Sequence, residues 1–323
     1  MSRLATSMHM SRMPRVAFVF PGQGSQAVGM LKAFGDDPVV AGVVRRASDA
    51  LGEDVGRMID QGPAEQLDLT VNTQPCLLTA SFAIYAAWRA AGGPQPAMMA
   101  GHSLGEYTAL LAADAIALQD AVPLVRFRAE VMQQAVPVGV GTMAAILGLD
   151  ESGVVAACAE AAGDEVVEAV NFNAPSQIVI AGHRAAVARA CEISKRLGAK
   201  RAVTLAVSVP FHSSLLAPAA DRLRARLPSI EVRPPVVPVI NNIDVAVESD
   251  PARIRDALAR QAAGPVRWTQ IVQAMSERGI TDVIECGPGT VLSGLTRRIV
   301  PALNSLSVSD PQSLKRALSA VGA

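Results

Sequence analysis

A chain of 323 residues, half of it hydrophobic, 18% charged and only 3% aromatic, is long enough to bury a large core of Ala, Val, Leu and Ile. Its 29 Lys and Arg balance 29 Asp and Glu, which leaves no broad basic face for nucleic acid and no polybasic patch for a membrane. The cysteines, Cys76, Cys158, Cys191 and Cys286, are scattered without a Cys-x-x-Cys pair, so they signal neither a disulfide framework nor a zinc site and fit a reducing, cytoplasmic setting. Residues 1–13, Ser- and Arg-containing and free of acids, read as an extension outside the fold, and His9 goes with them.

The segment "RVAFVF" (15–20) is rich in β-formers and ends in "PGQGSQ", a strand followed by a turn. Helical patterns run from there to about residue 91. They include the apolar stretch 75–88, which is too short to span a bilayer and reads as a buried helix. "PAMMAG" is a second short strand. An amphipathic helix covers 117–135, with Pro123 in its first turn or bending it. The order then becomes β-α-β-β-α-β over about 138–209, the order of a ferredoxin-like unit, which could fold as an insertion. After it, helices at 213–227, 251–262, 268–278 and 290–300 alternate with strands in "VVPVINN" and "TDVIEC". Such alternation predicts a mostly parallel sheet covered on both faces.

Gly101-His102-Ser103-Leu104-Gly105 lies where an apolar strand gives way to a helical pattern. Gly-x-Ser-x-Gly at that junction is the pattern of a nucleophile elbow; the alternative is a plain Gly-rich turn. The elbow strains the serine backbone and presents Oγ, and the helix beginning at Leu104 aims free N–H groups at a developing oxyanion. Ser103 needs a base. His102 adjoins the serine and points away from it, as a packed residue supporting the turn. His183 opens a helix of the inserted unit, as a surface cap. His212, in "SVPFHSS" where the inserted unit rejoins the main sheet, remains as the candidate base, with a structural histidine as the alternative. No acid near His212 is an obvious third member, so a backbone carbonyl could orient the ring.

On the helix 117–135, Arg128 falls on the apolar stripe of Ala121, Leu124, Val125, Val131 and Met132. Arg126 falls off it, with Glu130 as its surface partner. An inward guanidinium needs a carboxylate, either in an internal ion pair or on a substrate. The turn "GQGSQA" (22–27) matches the dinucleotide pattern Gly-x-Gly-x-x-Gly/Ala, but no second strand ends in an acid about twenty residues on. The other reading sets Gln23 and its N–H beside the elbow as half of an oxyanion hole.

The motifs "FVFPGQGSQ", "TQPCLLTAS", "AGHSLGEYTAL", "AVNFNAPSQIVIAG", "VSVPFHSSL" and "VIECGPGTVLSGLTRRI" closely resemble those of malonyl-CoA:acyl carrier protein transacylases, over nearly the whole chain from Arg15 to about Val300. The resemblance implies a hydrolase-like α/β core (14–137 and 210–323) carrying a ferredoxin-like insertion (138–209). It implies Ser103 as nucleophile, His212 as base, Arg128 as the clamp for a malonyl carboxylate, and Gln23 with the Leu104 N–H as the oxyanion hole. It implies Gln261 as the residue whose backbone carbonyl orients the histidine. Phe211 before the histidine is similar to the malonyl rather than the methylmalonyl pattern. Gly264-Pro265 departs from the Asn-Pro that family members often carry, which puts the backbone near Gln261 in question. Asn171 and Asn173 match family positions and read as structural. The implied partners are malonyl-CoA and holo acyl carrier protein, acting on a monomer with no cofactor, metal, nucleic acid or membrane. A serine esterase or thioesterase, a non-catalytic scaffold and a dinucleotide-dependent reductase are the competing readings.

Overall fold

The computed structural model describes residues 15–207 and 209–322; the expected extension at 1–13, with His9, lies outside them. In chain order the elements are β1 (Val16–Phe20), α1 (Pro38–Leu51), α2 (Val55–Gln61), α3 (Ala64–Leu67), α4 (Thr70–Ala90), β2 (Met98–Gly101), α5 (Leu104–Ala112) and α6 (Leu118–Ala135). Next come β3 (Gly141–Leu147), α7 (Glu151–Ala162), β4 (Val167–Ala174), β5 (Gln177–His183), α8 (Arg184–Arg196) and β6 (Arg201–Thr204). The chain ends with α9 (Ala217–Arg226), β7 (Val239–Ile240), α10 (Pro251–Gln261), α11 (Trp268–Glu277), β8 (Asp282–Cys286), α12 (Val291–Ile299), β9 (Asn304–Val308) and α13 (Pro311–Ala320).

Two sheets result. The first runs β7-β2-β1-β8-β9, all parallel. Its central strands are buried at every position, as strands covered on both faces must be. One face packs on α4, where Phe18 meets Tyr85 and Trp88 edge-on with centroids 5.6 and 5.1 Å apart. The other face buries Ala17, Val19 and Val283 against Trp268, Ile271 and Leu292 of α11 and α12. The expected buried helix at 75–88 is the body of α4, whose Pro75 sits in the second turn. Pro123 also lies inside its helix, beyond the first turn of α6.

The second sheet runs β4-β5-β3-β6, all antiparallel. One face, with Ile146, Ile178 and Ile180, packs on Val154 and Cys158 of α7 and Val187 and Cys191 of α8. The opposite face carries Met143, Val170 and Val179, packed with Leu205, Val207 and Phe211 and turned toward the first sheet. The second sheet is tied to the segment before α11, where Asn171 of β4 bridges Val266, with Phe172 N–H donating to Val266 O at 2.9 Å and Val266 N–H to Val170 O at 2.8 Å.

Three segments differ from their expected form. The strand in "VVPVINN" shortens to two residues, and that of "KRAVTLAVS" to Arg201–Thr204, which is largely exposed at a sheet edge. The β9–α13 unit has no counterpart in the sequence expectations; its strand is only half-buried, so its pattern is weak. Among the described residues, no helix is long and apolar enough to cross a membrane, and no group of His, Cys, Asp and Glu is arranged to hold a metal ion.

Candidate active site

The parallel register aligns Phe20 of β1 with Gly101 of β2, so the turns that follow both strands leave the sheet side by side. Close contact fixes them there. A Cβ on Gly105 would sit 2.1 Å from the Phe20 carbonyl oxygen, and one on Gly101 1.8 Å from the Gly105 carbonyl carbon. A Cβ on Gly22 would sit 2.6 Å from the His102 carbonyl oxygen. Glycine is the residue that lets backbone approach backbone this closely. Ser103 takes φ 54°, ψ −109°, a conformation costing roughly 1–3 kcal/mol for a residue with a side chain.

Ser103 Oγ lies 2.7 Å from His212 Nε2, and His212 Nδ1 lies 2.9 Å from the backbone oxygen of Gln261. A carbonyl only accepts, so Nδ1 carries the proton and Nε2 is free to accept from the serine hydroxyl. The ring is buried. Burial, reinforced by the nearby Arg128 charge, pulls its pKa down to about 3, so the imidazole is neutral at ordinary pH. Gly264 does not displace this arrangement: a Cβ there would meet Ile243 Cδ1 at 2.1 Å, so the local packing favours glycine.

Arg128 is 2% exposed, as its place on the apolar stripe requires. Among the described residues, no carboxylate meets its fork. Nη1 donates to Gln74 Oε1 at 2.8 Å, Nη2 to Gln261 Oε1 at 2.9 Å and to Ser103 Oγ at 3.2 Å, and the guanidinium lies 5.3 Å from the Tyr107 ring centroid. Burial presses its pKa downward.

Gln23 is reached through Thr70: Thr70 Oγ1 donates to Gln23 Oε1 at 2.7 Å, and Gln74 Nε2 donates to Thr70 Oγ1 at 3.3 Å. Leu104 is the first residue of α5, so its N–H has no acceptor within the helix. Ser103 N–H, by contrast, is taken by Asn242 Oδ1 at 2.7 Å. Gln23, Leu104, Ser103, Arg128 and His212 line one cavity of about 130 Å³, closed on the far side by residues of the second sheet such as Met143. A larger cavity, about 610 Å³, lies between α1 and α2 and is lined by no histidine.

The remaining histidines and Arg126 take defined places. The His102 ring lies tilted against Trp268, with centroids 5.5 Å apart, and its Nε2 meets Asn173 Oδ1 at 2.8 Å, so it supports the turn from behind. His183 is not a side-chain cap: its Nδ1 accepts the Val166 N–H at 2.9 Å, because the ring folds back over the β4 entry. Arg126 is not paired with Glu130 but holds Glu53 through both carboxylate oxygens at 2.8 and 2.7 Å, since the end of α1 packs beside α6.

Three functional neighbours had escaped the sequence analysis. Glu106, 2% exposed, accepts Asn242 N–H at 2.8 Å and Gln261 Nε2 at 2.9 Å, and burial raises its pKa to about 7. Asn242 also donates Nδ2–H to Gly101 O at 2.7 Å. Gln74 anchors Arg128. A lone acid within the apolar helix "LGEYTALLA" was the available signal for Glu106; Asn242 and Gln74 carried none that spacing reveals.

Comparison with known proteins gives the family of the chain. Residues 17–310 match the acyl transferase domain family. A malonyl CoA-acyl carrier protein transacylase of Escherichia coli K12 is 52% identical over 95% of this chain and 99% of its own. One of Bacillus subtilis is 42% identical over 95% of this chain and 97% of its own. The crystal structure of an acyl-carrier-protein S-malonyltransferase from Burkholderia pseudomallei superposes with TM-score 0.93 at 64% identity, covering 94% of this chain and 99% of that one. A malonyl-transacylase in complex with a type II polyketide synthase acyl-carrier protein superposes with TM-score 0.93 at 49% identity, covering 95% of this chain and 99% of that one. With its serine elbow, histidine and buried arginine gathered in one cavity, the chain belongs to the acyl transferase family, among the malonyl-CoA:acyl carrier protein transacylases, and is an acyltransferase.

Proposed function

We propose that this protein moves the malonyl group from malonyl-CoA to the phosphopantetheine thiol of acyl carrier protein through a malonyl-serine intermediate, supplying extender units for fatty acid synthesis. His212 Nε2 takes the Ser103 proton as Oγ attacks the thioester carbon. The Gln23 and Leu104 N–H groups hold the oxyanion. As the carbon–sulfur bond breaks, the imidazolium returns its proton to the leaving coenzyme A thiolate. The carrier thiol then gives its proton to His212 and attacks the ester carbon, and Ser103 recovers the proton as Oγ departs. The Gln261 carbonyl, standing where other serine enzymes have an acid, keeps the imidazole in the required tautomer.

The observation that carries this reading is the Arg128 guanidinium, 3.2 Å from the serine oxygen and held, among the described residues, by neutral oxygens. A charge so placed is complementary to an acid at the far end of a short acyl chain. An acyl group without that acid leaves the charge unpaired, at a cost of about 2–5 kcal/mol. In architectural terms, we read the parallel sheet as a hydrolase-like core of residues 14–137 and 210–323, and the antiparallel unit as a ferredoxin-like insertion of residues 138–209.

Intact-mass measurement after mixing with malonyl-CoA tests the proposal. The expected result is one malonyl adduct, mapped by peptide analysis to Ser103 and discharged by holo carrier protein. An adduct lost to water as fast without the carrier would identify a thioesterase instead, and no adduct at all would leave only a scaffold.

A further inference from the structure

Behind the cavity lies a hydrogen-bond network that the transfer chemistry itself does not use. Gln261 is fully buried, and its amide has two distinct ends. Nε2 donates to the backbone oxygen of Ser103 at 2.9 Å and to Glu106 Oε2 at 2.9 Å. A backbone carbonyl only accepts, and the same Glu106 oxygen is already an acceptor for Asn242 N–H, so both positions demand the NH₂ end. Oε1 must then turn the other way, and there it accepts Arg128 Nη2 at 2.9 Å. Reversing the amide would set NH₂ against the guanidinium and oxygen against two other oxygens, in a fully buried position.

Two functions of the site meet at this one residue. The backbone oxygen of the same residue orients His212, and its side-chain oxygen anchors Arg128. Glu106 reaches the guanidinium only through the amide. Glu106 therefore steadies Arg128 from behind through a neutral amide, and among the described residues the fork meets no carboxylate and Arg128 Nε has no acceptor. The same Glu106 oxygen also takes Asn242 N–H, and the Asn242 side chain holds both Ser103 N–H and Gly101 O.

We infer that Glu106 is a positioning residue for acyl selection: by holding Gln261 Nε2 it fixes the amide whose oxygen aims Arg128 at the acyl carboxylate. The inference rests on the malonyl-transfer reading above. It predicts an asymmetry that a merely structural role would not produce. Loss of Glu106 changes how well a carboxylated acyl group is told from a neutral one, not only how fast either reacts.

The test compares kcat/KM for enzyme acylation by malonyl-CoA and by acetyl-CoA in Glu106→Leu and Glu106→Gln, with Arg128→Ala marking the ratio left when the clamp is gone. Glu106→Leu is expected to lower the malonyl-to-acetyl ratio on the order of tenfold, as for residues sharing one hydrogen-bond network, and mainly through the malonyl KM. Glu106→Gln keeps an oxygen where both N–H groups converge, so it is expected to hold the ratio within about threefold. A wild-type ratio in Glu106→Leu overturns the inference, as does an equal fall in both variants, which would make charge rather than position the cause. Should Glu106→Leu fail to fold, Gln261→Ala reads the same ratio with the backbone carbonyl retained, and an unchanged ratio there also overturns it. A wild-type enzyme with no preference for malonyl-CoA would instead refute the reading of the reaction on which the inference rests.

Discussion

The two sheets of this protein are built by opposite rules, and the cavity lies between them. In the parallel sheet, β1, β2 and β8 are buried at every position. In the antiparallel sheet, β4 alternates between buried and half-buried residues and β6 stands largely in solvent. A parallel sheet sends all its strands out at one edge, so the turns after β1 and β2 emerge together, and the nucleophile is held by backbone contact. An antiparallel sheet offers a face instead, and here that face supplies Met143 to the wall opposite. Chemistry sits where backbones are locked; shape and dryness come from side chains that have more freedom to repack.

The sharpest way to break that comparison is at the elbow. Gly105→Ala drives a methyl to 2.1 Å from the Phe20 carbonyl oxygen, and a backbone neighbour in a central strand cannot step aside. The serine must move, and kcat/KM for acylation should fall about a hundredfold or more. A loss below tenfold in stopped-flow acylation would show that the sheet contact does not set the elbow.

The pH profile sharpens the role of the wall. Burial lowers the His212 pKa to about 3 from the ordinary 6.5, so the neutral base persists as pH falls. Acylation kcat/KM should therefore show no acid limb between pH 5 and 7. The stability sign follows from the same shift: the unfolded chain takes up this proton first, so the contribution of the neutral ring is complete above 6.5 and is lost as pH falls toward 3. Phe211→Ala opens the wall to water, and an acid limb should then rise toward 6.5. A limb already near 6.5 in the unaltered protein would mean that the ring is solvated.

The smallest effect is expected at the edge of the second sheet. Val203 on β6 is 39% exposed, and Val203→Thr keeps a β-branched side chain there, so thermal unfolding should report a change within about 0.5 kcal/mol. A larger loss would mean that this edge is packed more like the parallel sheet than its exposure indicates.

Much of the site was legible because local rules carry it. The Gly-x-Ser-x-Gly spacing at a strand-to-helix junction marked Ser103, and one charged residue on an apolar stripe marked Arg128. Elimination among a handful of histidines left His212. The partners of those residues were far less legible. Gln74 comes from α4, Glu106 from α5, Asn242 from the loop after β7 and Gln261 from the end of α10, and nothing in their spacing says that they converge. Arg126 shows the same limit in a surface pair, since a helix rule offered Glu130 and packing delivered Glu53. The short strands β6 and β7 and the half-buried β9 were blurred or missed because edge strands lack the continuous apolar run that made β1 and β8 plain.

The sequence by itself determined which segments are strands and helices across most of the chain, and which serine, arginine and histidine stand apart from their surroundings. Periodicity and turn chemistry are local properties, written within a few residues of each position. Only the tertiary structure decided the wiring: which carbonyl meets the histidine, which amides flank the guanidinium, and which way round the Gln261 amide points. Those choices depend on donors and acceptors brought within 3 Å of one another from distant stretches of chain, and no local pattern records that geometry.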